Sequence, residues 1–120
     1  MSRERIILEM GTGNDLHGSD YTKAALRAVQ DCLHHSSLSL FRSLSLDPQA
    51  MQIEVTIGVQ QPDRVDTDKV AASLPYGQVR ATAVAGGVDL PADGPHDRVV
   101  VATAAIAVWY VIPDRLMQSG

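Results

Sequence analysis

Between Met10 and Ser37 the chain gathers a dense set of side chains able to do chemistry: Asp15, His17, Asp20, Lys23, Arg27, His34, His35, Ser36 and Ser37. A lysine desolvated in a cleft acts as a base, or holds a carbonyl or carboxylate oxygen. His17 and Asp20, three residues apart, have the spacing of a carboxylate-oriented imidazole that exchanges a proton near neutral pH. Ser36 and Ser37, next to His34 and His35, could supply a nucleophile or a substrate contact. The candidate catalytic residues are therefore Lys23, His17, Asp20, Ser36 and Ser37. The candidate ligand contacts are Gly11, Gly13, Asp15, Arg27, His34 and His35. Each group also has a structural reading. Asp20 can cap a helix, Lys23, Arg27 and His34 can form the solvated stripe of an amphipathic helix, and histidines and serines suit a helix C-terminus.

Gly11 and Gly13 permit close approach of a ligand to the backbone, but the third glycine position of a dinucleotide fingerprint holds Leu16, and the P-loop spacing is absent. A metal site from Asp15, His17, His34 and His35 has no diagnostic spacing, so neither metal nor cofactor is expected. Cys32 falls on the apolar arc of the expected helix and reads as a small core residue.

These residues need elements to position them. Arg5 to Met10 reads as a strand that Gly11–Asp15 breaks. Ser19 or Asp20 then caps a helix running to about His34, with Ala24, Ala25, Leu26, Ala28, Val29, Cys32 and Leu33 on one arc. Ser36 to Gln49 reads as a loop with a helical turn. Met51 to Gln60 alternates as a strand, Asp66 caps a short helix Thr67 to Leu74 that Pro75 and Gly77 end, and Gln78 to Ala85 is a third strand. Gly86-Gly87 makes a bulge or turn before a loop. Arg98 to about Val111 is a fourth strand, apolar on both faces and hence expected to be covered on both.

The expected fold is α+β, a four-stranded mixed sheet with one long and one short helix in the order β-α-β-α-β-β. Two helices cannot cover both sheet faces, so a second copy of the chain is expected to complete the cover, as a trimer or another homo-oligomer. At 120 residues, 45% apolar and 20% charged, residues 1–120 make one domain, with the tail after Pro113 frayed. The net charge of -4 gives no footprint for nucleic acid or an anionic membrane, and the 14 apolar-rich residues Val99 to Ile112 fall short of a spanning helix. One cysteine and no signal-peptide pattern point to the cytoplasm. The partners expected are the chain itself and a small polar or anionic metabolite at a subunit interface.

The string Met10-Gly-Thr-Gly-Asn-Asp-Leu-His-Gly-Ser-Asp-Tyr-Thr-Lys-Ala-Ala-Leu-Arg-Ala-Val29, followed by His34-His35-Ser36-Ser37-Leu38, Leu74-Pro75-Tyr76-Gly77 and Gly86-Gly87, resembles the "Lin" family of conserved hypothetical bacterial proteins. The likeness runs from Arg5 to Trp109, and Asp15, His17, Asp20, Thr22, Lys23 and Arg27 match the family pattern. Where the family has His-Asn-Ser-Leu-Pro, this chain has His35-Ser36-Ser37-Leu38-Ser39. The family has no established activity, so the resemblance implies a shared cluster and no reaction. The order of elements and Gly86-Gly87 resemble the trimeric AroH-class chorismate mutases, whose sites lie between subunits. Gly13-Asn14-Asp15 and Asp20-Tyr21-Thr22-Lys23 are similar to pieces of cyanuric acid hydrolases and barbiturases. That second likeness implies ring-amide hydrolysis, with Lys23 activating Ser36 or Ser37. The alternative is a non-catalytic homo-oligomeric structural or partner-binding protein.

Overall fold

The computed structural model describes residues 2–34, 50–74, 77–92, 94 and 97–112. Its elements are β1 (Ser2–Asp15), α1 (Tyr21–His34), β2 (Met51–Val59), a 3-10 turn at Pro62–Arg64, α2 (Thr67–Ala72), β3 (Gln78–Ala85), β4 (Val88–Pro91) and β5 (Arg98–Ile112). The strands form one sheet in the order β1-β5-β2-β3, with β4 also paired to β5. β5 is antiparallel to both β1 and β2, which are therefore parallel to each other on either side of it. β3 runs parallel to β2.

The α+β class and the order of elements are as expected, but the described residues hold five strands rather than four. The additional strand lies in the segment read as a loop. β2 ends opposite Thr103, which leaves the edge of β5 open, and the chain leaving β3 steps across to pair Val88–Pro91 with Arg98–Val101. Gly86-Gly87 makes that step. Gly87 has φ +60, and a Cβ there would stand 2.2 Å from the Val101 carbonyl oxygen. The Gln60 side-chain amide donates to the carbonyls of Gly86 and Gly87 and fixes the crossing.

β1 is also longer than its sequence pattern indicates, because Gly11–Asp15 continues the ladder with β5 instead of breaking it. A bulge between Arg5 and Ile7 resets the alternation. Beyond it Leu8, Met10, Thr12 and Asn14 share one sheet face, while Ile7, Glu9, Gly11, Gly13 and Asp15 share the other with α1. The glycines let the helix lie close: a Cβ on Gly13 would stand 2.2 Å from the Ala28 nitrogen, and one on Gly11 2.7 Å from the Cys32 nitrogen.

Both helices pack on one face. α1 lies over β1 and β5 and touches α2, which lies against β3. Between the layers sit Ala24, Ala25, Ala28, Val29 and Cys32, the β2 row Met51 to Val59, and the β5 row Val100 to Val108, all buried. At about 25 cal/mol per Å², this apolar burial is the main favourable contribution to folding. Asp66 caps α2 through the Lys69 amide, as its sequence position predicts. Among the described residues, the expected cover is present on only one face of β5. Its second row, Val99 to Trp109, faces away from the helices, and Leu8, Met10, Val84, Val88 and Leu90 are exposed beside it.

Candidate functional site

Asp15 ends β1 with its side chain turned under α1, only 2% exposed. Its Oδ2 accepts the Asp20 amide at 3.0 Å, while Lys23 Nζ and Arg27 Nη1 stand 3.8 and 3.6 Å from Oδ1. Arg27 also donates to the Asn14 carbonyl at 2.7 Å. Asp20 Oδ1 accepts the Lys23 amide at 3.0 Å, the helix cap that one reading of the sequence anticipates. The junction thus gathers Asp15, Asp20, Lys23 and Arg27 as expected. Both cations turn to an internal carboxylate and stand about half in solvent, without the desolvation that a lysine base requires.

The expected pairing of His17 with Asp20 is replaced by a different one. His17 is 79% exposed, and its Nδ1 lies 3.4 Å from Asp97 Oδ2, on the segment entering β5. Asp97 Oδ1 accepts the Gly18 amide at 2.8 Å and the Arg98 amide at 3.0 Å. The Gly18 hydrogen bond, then the neighbouring His17, hold the Asp97 carboxyl below the ordinary carboxylate range. Tyr21 is buried, its hydroxyl donates to Asp89 of β4, and the Arg64 guanidinium lies 4.9 Å from its ring centre. Burial first, then the Asp89 bond, raises the Tyr21 pKa. Asp89, Asp97 and Arg64 carry no signal in the motif. They lie 40 to 80 residues away, and only the fold brings them to this loop.

Gly11 and Gly13 face α1, which fills the space beside them. His34 ends α1 on the exposed side, about 16 Å along the axis from Lys23 at 1.5 Å per residue. His35, Ser36 and Ser37 lie outside the described residues, and so does the expected activation of a serine by Lys23. Cys32 is buried in the core, and burial, with Asp31 and Glu9 nearby, pushes its thiol up to about 11. Among the described residues no group of three His, Cys, Asp or Glu side chains is placed to hold a metal ion. No described helix is long and apolar enough to cross a membrane.

A second feature lies on the open sheet face, where, of the residues singled out in the sequence, only Gly11 contributes to the lining. A groove of about 530 Å³ crosses the strands at the level where their side chains are small, between Met10 at one end and Val84 at the other. Thr12, Thr56 and Thr103 line it, and Gly58 leaves its floor low. Thr56 and Thr103 make no side-chain hydrogen bond to another described residue. The acid at its edge, Asp31, accepts the Thr12 amide at 2.9 Å. Toward the far end of the same face, Arg3 stacks on Trp109 at 4.3 Å and bonds Gln52 and Glu54, closing the apolar area with a polar rim.

Two helices on one face of a mixed sheet, with its last strand between the two parallel strands that α1 joins, define a two-layer α+β domain in which no described element covers the other sheet face. Residues 5–108 match the model of the conserved hypothetical protein family Lin0512_fam, and the chain belongs to that family. The resemblance read from the Met10–Val29 motif is thereby borne out. The fold is similar to the crystal structure of an FtsZ-like protein of unknown function from Nostoc punctiforme. The two are 35% identical with a TM-score of 0.78, over 93% of this chain and 99% of that one. No curated protein matches.

Proposed function

We propose that this protein works as a homo-oligomer that associates through its open sheet face and holds a small polar metabolite where the subunits meet. The observation that carries the reading is the exposed row Leu8, Met10, Val84, Val88 and Leu90 beside the outward side chains of β5. An apolar surface rimmed by polar side chains is characteristic of an interaction site. Five residue levels on β5, Val99 to Ala107, with strands ~4.8 Å apart, give a face of roughly 30 by 19 Å, or ~600 Å². On it Asn14, Thr12, Thr56 and Thr103 stand among the apolar side chains, and Glu54 and Arg80 share the Ala107 level. That area equals the ~600 Å² per partner at the lower bound of a stable interface.

Support for a bound metabolite comes from the groove on that face more than from the strand–helix junction. At the junction Lys23 and Arg27 turn toward Asp15, which favours a neutral polar ligand over an anion. The similar Nostoc protein, described as of unknown function, brings no reaction with it.

Equilibrium sedimentation at micromolar concentration tests the association. The wild-type chain is expected to sediment as an oligomer, and a Val88→Glu/Leu90→Glu variant as a cooperatively melting monomer. A clean wild-type monomer sinks the reading.

A further inference from the structure

The groove across the open face has the composition of a binding site. Its volume of about 530 Å³ falls within the ~300–1,000 Å³ usual for small-molecule sites. Such sites combine apolar walls with a few placed polar groups. Here Met10, Val84 and Ala105 supply the walls, and Thr12, Thr56 and Thr103 the hydroxyls. Each hydroxyl both donates and accepts, so together they match a ligand carrying N–H and C=O groups side by side.

Charge narrows the ligand further. The carboxylate of Asp31 at the edge already accepts the Thr12 amide, and Arg3 and Glu54 lie up the sheet in their own network. An anionic ligand would lose its hydration in this groove without gaining an opposite charge, an unfavourable exchange. A flat, uncharged ring lying over Ala105, between Met10 at one end of the groove and Val84 at the other, would turn its edge to the hydroxyls. Gly58 keeps the floor low. Its missing Cβ would stand 2.6 Å from Thr103 Oγ1, so any side chain there would push the hydroxyl out of place.

Among the described residues nothing roofs the groove, which is a trough open along its length. The surface that would roof it is the one proposed above to pack against a second copy. We propose that this trough is a binding site for a small, flat, uncharged ring bearing amide N–H and C=O groups, and that a second copy of the chain closes it. This rests on the self-association reading, because the site is incomplete without the partner.

The test is a thermal-shift series on the full chain with uracil, hydantoin and succinimide as neutral probes, and succinate and inorganic phosphate as charged ones, run beside sedimentation. A ligand held only by the native state raises the melting temperature. At least one neutral ring is expected to do so in the wild type and neither anion to do so. Thr56→Val and Thr103→Val keep side-chain shape and strand preference. Each is expected to weaken binding about fivefold to tenfold, the loss of one hydrogen bond, with sedimentation unchanged. Val88→Glu/Leu90→Glu alters residues outside the groove and is expected to abolish the shift by removing the roof. An oligomer that responds to no neutral ring, or only to the anions, overturns this site and leaves self-association standing. So does an undiminished shift in both valine variants or in the monomeric double variant. A wild-type monomer overturns both.

Discussion

At Asp15 a buried carboxylate serves the backbone more than it serves its charged neighbours. The Asp20 amide donates to it at 3.0 Å, whereas Lys23 and Arg27 stand farther away and half in solvent. Removing the acceptor leaves a part-buried amide unmet, for which the ~1–3 kcal/mol of a fully buried donor is the upper range, while exposed ion pairs contribute ~1 kcal/mol or less. Asp15→Ala is therefore expected to lower the melting temperature clearly and Lys23→Met hardly at all, and thermal melts compare the two. Asp97 makes a pH prediction. Its pKa is depressed in the folded state, so its contribution is present above the unfolded carboxylate value and is lost as pH falls through the lower folded value. An NMR titration should show the Gly18 amide proton moving in acid, below the ordinary carboxylate range, and Asp97→Asn should remove that step. For Cys32 the sign is opposite. A thiol raised to about 11 contributes stability that is complete below its unfolded value and is lost as pH rises through the folded one. At pH 8 a thiol reagent should label Cys32 only in denaturant, and rapid labelling of native protein would contradict its burial.

The packing of α1 on β1 turns on two glycines that read in the sequence as a turn or a ligand cradle. With a Cβ on Gly13 falling 2.2 Å from the Ala28 nitrogen, a methyl group must push strand and helix apart. Overpacking of this kind costs ~1–3 kcal/mol, so Gly13→Ala should lower the melting temperature by several degrees, as calorimetry would show. The error in the sequence reading has a physical origin. Glycine favours turns through backbone freedom and close packing through its lack of a side chain, and local sequence does not distinguish the two. The α1 cap at Asp20, the buried arc of α1 and the alternation of β2 were legible because each follows from periodicity or from a side chain meeting an amide three residues on. β4 was not, because its pairing depends on an edge of β5 that β2 leaves vacant.

At the scale of the molecule, the covering of only one sheet face by the described elements is the fact with functional weight. The sequence shows that β5 is apolar on both sides. The fold adds that both helices lie on the same side, and that β1, β3 and β4 extend the apolar surface on the other. Self-association should accordingly be insensitive to Lys23→Met or His17→Ala, which lie away from that face, and should vanish with charges on β4. Sedimentation of the three variants decides between an interface on the sheet and one at the junction.

The sequence by itself determined the α+β class, the order of elements apart from β4, the family and the polar run from Asp15 to Arg27, since all of these reside in local pattern and motif. Only the tertiary structure decided how those side chains are used. Asp20 caps, Asp15 holds the Asp20 amide, and His17 meets Asp97 rather than Asp20. The groove too exists only in the folded sheet, where residues from β1, β2, β3 and β5 stand at one level. Hydrogen bonds and ion pairs are made by whichever partner the fold brings within about 3 to 4 Å, and separation along the chain does not measure that distance.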